Sequence, residues 1–283
     1  MLQTRQHGPV TVFRMGRHVA ANRRWVLYET HAFLLGETLI DTGTIAVRGE
    51  WAPVMKGLRC RTIVNTHHHE DHTGNNRLFQ ERFGAEILAH PGALAFLEDP
   101  AKRGLPFFRR LVWKTPDRSR GRPVGQTVAG GGHTLHVIPT PGHCADHVCL
   151  YEPANGWLFA GDLFCGRRLV YLRAEEDFGL MLESMKRVAA LDIRVIFCGL
   201  KGVVENGGEA LDEKIRTMEE IRNRAQALSE KGVPPGQIRR RLLGREGWMY
   251  LLTNGHFSKQ NVIDSILQNR REGGAERARE RRD

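Results

Sequence analysis

The chain has 283 residues, of which 41% are hydrophobic, and its formal net charge is +10. This length fits one large domain or two small ones, and the hydrophobic share is ample for a buried core. No stretch approaches the roughly 20 apolar residues of a membrane helix, and residues 1–9 lack the apolar run of a secretory signal. The five cysteines are scattered and form no CxxC pair, so we expect a reduced, cytoplasmic location.

The basic charge is compatible with three kinds of surface: one that binds nucleic acid, one that binds an anionic small substrate, and one that is simply solvated. The most basic stretch is residues 100–123, which hold eight Lys and Arg residues against one acid, with Phe107, Phe108 and Trp113 interleaved. Basic and aromatic residues together suit a polyanion or a membrane surface. A solvated loop whose aromatic rings pack onto the body is an equal alternative.

The first part of the chain is typical of β-strands. Residues 10–15 and 25–29 are predicted strands, and residues 31–35 and 38–41 are predicted to form a hairpin that turns at Gly36 and Glu37. Asp41 ends the second arm of this hairpin, beside a tight turn. It is either a turn-forming aspartate or an acceptor that fixes the tautomer of a metal-bound histidine.

A histidine-rich loop follows a helical pattern over residues 45–58 and a short strand over residues 62–64. Four of its side chains are metal ligands by type: His67, His69, Asp71 and His72. A His-x-His pair on an extended chain points two imidazoles to the same side, whereas His68 and Glu70 alternate with them and should point away. The loop is therefore predicted to hold one metal ion or two close together, before a helix over residues 73–83.

Two later segments offer further ligands. In Pro141-Gly142-His143 the proline and glycine make a sharp turn that would expose the imidazole. The apolar strand 157–161 is followed directly by Asp162. Placing this carboxylate at the end of an apolar strand would cost free energy without a partner, and a metal ion would supply that partner. His67, His69 and His143 with an open fourth position give the pattern of a catalytic zinc.

The His-x-His-x-Asp-His motif, Asp41, Pro141-Gly142-His143 and Gly161-Asp162 occur in the order of the metallo-β-lactamase superfamily, which residues 10–205 resemble. The resemblance implies an α+β fold, a four-layer αββα sandwich. It also implies one or two zinc ions, with iron as an alternative metal. His67, His69 and His143 would form the first site, and Asp71, His72 and Asp162 the second.

The resemblance also assigns roles to two aspartates. Asp71 would orient the nucleophile and shuttle a proton, as the catalytic acid–base residue. Asp41 is then best interpreted as the acceptor that orients a metal-bound histidine.

The sequence departs from the superfamily pattern at one place. After the predicted strand 193–197 the pattern expects Gly-His, and this chain has Cys198-Gly199-Leu200. Leucine cannot bind a metal, so we expect an impaired second metal site. A replacement ligand from elsewhere is the alternative, with Cys198, Glu205 and His256 as candidates.

The chain is predicted to divide into three parts: a metallo-β-lactamase-like domain over residues 1–207, a helical extension over residues 208–270, and a disordered charged tail over residues 271–283. The extension should contain a long helix over residues 209–231, a second starting near Pro235, and a third capped by Ser258. Apolar residues between Ile238 and Leu252 are expected to pack into it.

The sequence thus predicts a metal-dependent hydrolase in which a metal-bound hydroxide attacks an ester or thioester of a small molecule, as in glyoxalase II-like proteins. An anionic substrate would suit the basic charge. Two alternatives stay open. One is a lactamase-like ribonuclease, favoured by the basic charge, and the other is a degenerate non-catalytic binding protein, favoured by Leu200. The sequence leaves the oligomeric state open.

Overall fold

A computed structural model describes residues 1–18 and 26–268 of the chain. In this part of the chain two large sheets are present, and seven strands form the first of them in chain order. These strands are β1 (Leu2–His7), β2 (Val10–His18), β3 (Val26–Leu35), β4 (Thr38–Ile40), β5 (Thr62–Val64), β6 (Glu86–Ala89) and β7 (Gly121–Pro123).

The predicted hairpin at Gly36 is confirmed, because β3 and β4 pair in antiparallel fashion on either side of it. The segments predicted as separate strands over residues 25–29 and 31–35 belong to one uninterrupted strand, β3, although Trp25 itself lies outside the described residues. Strand β1 was missed, since its sequence is polar and most of its side chains are exposed. It forms because its backbone pairs with the edge of β2, which requires no apolar alternation.

The remaining strands follow in chain order: β8 (Thr127–Gly130), β9 (His133–Pro139), β10 (Val148–Glu152), β11 (Trp157–Gly161), β12 (Leu172–Arg173), β13 (Val195–Cys198), β14 (Gly202–Glu205) and β15 (Phe257–Ser258). Six of them form the second sheet in the order β14-β13-β11-β10-β9-β8, and β12 pairs with β15.

The α-helices in the described residues are mostly short. They are α1 (Arg48–Val54), α2 (Glu70–Thr73), α3 (Asn76–Phe83), α4 (Pro91–Glu98), α5 (Phe107–Val112), α6 (Phe178–Ala189), α7 (Gly207–Glu230), α8 (Pro235–Leu243) and α9 (Trp248–Leu252), followed by a helix over residues 259–268. The helix predicted over residues 73–83 starts later, at Asn76, because Thr73 ends the separate helix α2. It ends as expected at Gly84, which is in the left-handed conformation. No helix in the described part of the chain is long and apolar enough to span a membrane.

By its internal contacts the chain forms two compact units. The first contains residues 1–141, 145–165 and 191–208, and therefore both large sheets. One hydrophobic cluster, with Phe33, Phe159 and Phe197, includes residues from both sheets. A second cluster, with Trp51 and Phe79, joins the first sheet to α1 and α3. Burial of these aromatic side chains fixes the two sheets and therefore the strand ends that carry polar residues.

The second unit contains residues 142–144, 166–190 and 209–283, of which residues 269–283 are outside the described part. Helices α6 and α7 are joined by an ion pair between Lys186 and Glu219. The start of α6 is tied to the last helix, since Ser265 accepts a hydrogen bond from the Phe178 amide at 2.9 Å. Ser258 caps that helix as predicted, accepting from the Gln260 amide at 2.9 Å.

One prediction for the extension is wrong in part. Ile238 is buried as expected, but Trp248, Leu251 and Leu252 are exposed, and α9 buries none of its residues. The predicted boundaries at residues 207 and 270 stay predictions, and the predicted tail, residues 271–283, lies outside the described residues.

Candidate metal centre

The strand ends of the first unit bring the candidate residues together. β4 and β5 run parallel, so Asp41 and the histidine loop follow strand ends at the same edge of the first sheet. β11 and β13 also run parallel, which places Asp162 next to the turn at Gly199 and Leu200.

Three imidazoles of the loop lie against one another. The ring centroid of His67 is 4.4 Å from that of His69 and 4.1 Å from that of His72. Potential ligand atoms of His67, His72 and Asp162 all lie within 4.8 Å of one another, and the three side chains are fully buried. Donors packed this closely in the interior match the needs of one divalent ion.

Asp41 holds the loop through its carboxylate. Its Oδ1 accepts a hydrogen bond from the Thr66 amide at 2.8 Å, and its Oδ2 accepts from the Thr66 hydroxyl at 2.8 Å. The same Oδ2 lies 2.7 Å from Nδ1 of His72, which leaves Nε2 of His72 directed at Oδ1 of Asp162, 3.4 Å away. Asp41 adopts a positive φ of 58°, a strained conformation that aspartate tolerates better than most residues.

This geometry agrees with the acceptor role predicted for Asp41. A carboxylate bonded to Nδ1 fixes the tautomer in which Nε2 is available to a metal. Thr66 was not singled out by the sequence. Its hydroxyl lies 3.0 Å from Nδ1 of His67, so Thr66 connects Asp41 to two histidines.

The charges around His72 change its protonation. Burial alone would lower the pKa of this imidazole, but the carboxylates of Asp41, Asp162 and Asp71 together raise that pKa well above its ordinary value. A site that gathers this much negative charge around a buried imidazole is suited to a cation. A divalent metal would replace the proton there.

Asp162 is positioned by its backbone. Its amide donates to Nε2 of His147 at 3.1 Å, and Nδ1 of His147 lies 2.8 Å from the Thr140 hydroxyl. His147 therefore accepts with Nε2 and donates with Nδ1, which is a structural role. Cys165 contacts the Asp162 carbonyl, with its sulfur 2.9 Å away.

The alternating residues of the loop have partners of their own. His68 donates its amide to Asp146 at 2.9 Å and places Nδ1 2.7 Å from the other carboxylate oxygen. Glu70 receives two hydrogen bonds from Arg109, from Nε at 2.6 Å and from Nη2 at 2.9 Å. Both members of this pair are buried. The basic segment 100–123 thus anchors the loop at one point through Arg109, which the sequence did not single out.

Asp71, the predicted acid–base residue, is buried in the loop at the start of α2. Its carbonyl accepts a hydrogen bond from the Thr30 hydroxyl at 3.3 Å. The proposed proton-transfer role of its carboxylate stays a prediction.

His143 belongs to the second unit and is buried there. Its Nδ1 lies 2.6 Å from Oε1 of Glu176, and the other oxygen of Glu176 accepts from the Arg173 amide at 2.7 Å. Burial alone would raise the pKa of the Glu176 carboxyl, but the bonds from His143 and Arg173 lower it. Glu176 is a second orienting carboxylate, and no sequence motif marked it. The ligand role of His143 remains a prediction.

The turn after β13 lies against the cluster of His72 and Asp162. A Cβ atom on Gly199 would lie 2.8 Å from both Oδ1 of Asp162 and Cε1 of His72. The backbone itself therefore closes this side of the cluster. Leu200 follows and is half-buried.

None of the three candidate replacements joins a potential metal-binding cluster in the described part of the chain. Burial raises the pKa of the Cys198 thiol, and the charge of Asp162 raises it further, so this cysteine favours the thiol rather than the metal-binding thiolate. Glu205 is opposite Val195, at the far end of the β13–β14 hairpin, and faces His7. His256 lies in the second unit beside Glu175.

The donor set of the first unit fits a divalent metal. Neutral imidazoles and a carboxylate are the usual protein ligands of zinc, and two histidines with one carboxylate also suit iron. Their close approach, complete burial and orienting carboxylates are the features of such a site.

Comparisons with known proteins identify the family of the chain. The family model of the metallo-beta-lactamase superfamily matches residues 29–200. A hydroxyacylglutathione hydrolase of Rhizobium johnstonii is 30% identical over 172 residues, which cover 57% of this chain and 58% of that protein. An atrochrysone carboxyl ACP thioesterase of Aspergillus fumigatus is 26% identical over 205 residues, covering 67% of this chain and 56% of that protein. The matches thus span little more than half the length of these curated relatives.

A solved structure extends the likeness to nearly the whole chain. A metallo-beta-lactamase family protein of Thermus thermophilus superposes with a TM-score of 0.65 at 21% identity, covering 93% of this chain and 94% of that one. The predicted sandwich fold is therefore confirmed. With the family match over residues 29–200, the chain belongs to the metallo-β-lactamase superfamily.

Proposed function

We propose that this protein is a metal-dependent hydrolase that cleaves thioesters or related activated esters of small molecules. The observation that supports the proposal best is the buried cluster of His67, His72 and Asp162. The two curated relatives described above are named as a hydroxyacylglutathione hydrolase and an ACP thioesterase. Both names describe hydrolysis of an acyl group carried on sulfur.

The proposed ligands are the residues predicted from the sequence: His67, His69, Asp71, His72, His143 and Asp162. A divalent metal bound by such residues lowers the pKa of a bound water toward neutrality and polarises the oxygen under attack.

The chain's own groups have distinct roles in this proposal. Asp41 and Glu176 hold His72 and His143 in the tautomer that leaves Nε2 available. Asp71 accepts the proton released by the attacking water and returns it to the departing group.

Leu200 bears on the choice of substrate. If the second site is weakened, the departing group has one electrostatic stabiliser fewer. A thiolate leaves a thioester readily without such help, whereas an amine does not leave an amide readily. The substitution therefore supports thioesters over amides and over phosphodiesters, whose charge calls for more cationic stabilisation.

Metal content per chain is the first test, measured by elemental analysis on protein purified without a histidine tag or chelator. We expect about one zinc or iron ion. Two tightly bound ions would contradict the impaired second site. No bound metal even after addition would contradict the hydrolase and favour a binding protein.

The second test compares substrates: a hydroxyacylglutathione thioester, p-nitrophenyl acetate and bis(p-nitrophenyl) phosphate. We expect chelator-sensitive cleavage of the thioester above the other two. The His67→Ala variant serves as the background control. Preferential cleavage of the phosphodiester would instead favour the ribonuclease alternative, which stays a prediction.

The Leu200→His variant tests the effect of this position separately. We expect the metal content to rise toward two ions per chain and hydrolysis to increase with it. Unchanged metal content would show that Leu200 is not what limits the second site.

A further inference from the structure

The apolar helix α9 lies largely open to solvent. Its sequence is Trp-Met-Tyr-Leu-Leu, and none of its residues is buried. Leu251 is 79% exposed, Trp248 66% and Leu252 56%. Burial of such side chains is strongly favourable, so a contiguous exposed group of this kind marks an interaction surface.

The residues before and around α9 are strongly basic. Residues 231–255 contain five Lys and Arg residues and one acid, Glu246. The carboxylate of Glu246 is directed inward, accepting from the Ser258 hydroxyl at 2.8 Å and the Lys259 amide at 3.1 Å. Three arginines that precede the apolar helix in the chain are exposed: Arg240, Arg241 and Arg245. The segment is therefore exposed and basic in its first part, and exposed and apolar in α9.

We propose that this surface, α8 and α9 with the intervening residues 244–247, docks onto anionic lipid membranes. Exposed Trp, Tyr and Leu side chains enter the interface between headgroups and acyl chains, where tryptophan and tyrosine are favoured. The exposed arginines that precede α9 attract the negative surface of the membrane. The charge complementarity selects an anionic lipid surface over a second copy of this chain, whose matching face would bring like charges together.

The proposal is independent of the hydrolase activity and of any bound metal. It describes peripheral attachment, since α9 is only five residues long. Membrane binding of this kind depends on both buried apolar area and charge. The apolar contribution and the charge contribution can each be removed by a separate set of substitutions.

The experiment is co-sedimentation of the full-length protein with vesicles of phosphatidylcholine alone and of phosphatidylcholine mixed with phosphatidylglycerol. We expect binding to the mixed vesicles that weakens as salt is raised, because screening shortens the reach of the charges. The double variant Trp248→Ser/Leu251→Ser should lower the partition coefficient about tenfold or more. The triple variant Arg240→Gln/Arg241→Gln/Arg245→Gln should remove the preference for anionic lipid.

A matched control is available in the same unit. Val170 and Leu180 are also exposed apolar residues, at 53% and 44%, but they lie outside α8 and α9. The variant Val170→Ser/Leu180→Ser should bind vesicles like the unaltered protein. Circular dichroism melts of all variants identify any loss of folding.

Three outcomes would overturn the proposal. The first is no binding to mixed vesicles. The second is an equal loss in the control variant. The third is evidence that the surface binds a different partner. That partner would be a second copy of the chain if the α9 variant converts a dimer to a monomer in analytical ultracentrifugation. It would be RNA if the arginine variant loses binding to a short RNA while vesicle binding is unchanged.

Discussion

The histidine loop after β5 and the turn after β13 adjoin the same ligand cluster but are held in different ways. In the loop, buried side chains bond to one another: Asp41 to the Thr66 hydroxyl and His72, and Glu70 to Arg109. In the turn, backbone groups predominate. The Gly199 amide donates to the Gly161 carbonyl at 2.8 Å, and the Gly199 carbonyl accepts from the His31 amide at 2.7 Å.

This difference has a consequence for substitution. A loop held by buried ionic side chains is sensitive to removal of any one partner, because the other is left buried and unbalanced. A turn held by backbone bonds tolerates changes of side-chain chemistry but not of volume. The superfamily histidine could therefore be replaced at Leu200 without disturbing the loop.

Removal of Arg109 should have the largest effect. Arg109→Met leaves the Glu70 carboxylate buried without its cation, and we expect the free energy of unfolding to fall by about 3–5 kcal/mol. Chemical denaturation measures the change. The double variant Arg109→Met/Glu70→Met removes both charges and should recover most of the loss. A double variant as unstable as the single one would show that packing, not charge, is responsible.

Added volume in the turn should have the next largest effect. In Gly199→Ala the new methyl group approaches the Asp162 oxygen and the His72 ring, which we expect to cost about 1–3 kcal/mol of stability. The matched control is Gly49→Ala, since a Cβ atom at Gly49 meets nothing within 4 Å. Equal melting temperatures for the two variants would contradict a closely packed turn.

The smallest expected effect is on metal affinity, and it comes from loss of an orienting carboxylate. Asp41→Asn keeps the shape but removes the charge opposite His72, so we expect metal affinity about 10–100-fold lower. Competition with a chelator of known affinity measures it. Asp192→Asn, at an exposed aspartate of the same unit, should leave the affinity unchanged. An unaltered affinity in Asp41→Asn would remove Asp41 from the site.

The fold and many elements were predictable because local patterns and tertiary packing agree. The hairpin at Gly36, the helix end at Gly84 and the helix start at Ser258 each depend on turn or cap chemistry carried by adjacent residues. Strand β1 was not predictable in this way, since it is held by backbone pairing along a sheet edge. The exposure of α9 was also missed, because an apolar sequence does not show whether a partner surface faces it.

The sequence by itself determined the superfamily, the order of the strands around the motif and the identity of the candidate ligands, since the spacing of His67, His69, Asp71 and His72 is local. Only the tertiary structure decided which residues support them. Thr66 and Glu176 hold candidate ligand residues, and Arg109 holds Glu70 of the same loop. These contacts depend on how distant segments pack, and no spacing rule specifies them. The tertiary structure also decided which side chains of the two basic, aromatic-containing segments are buried: it pairs Arg109 with Glu70 in the interior and leaves Phe107 of the same segment and Trp248 of the other exposed. Burial of a side chain depends on which distant segment packs against it, and the local sequence does not specify that.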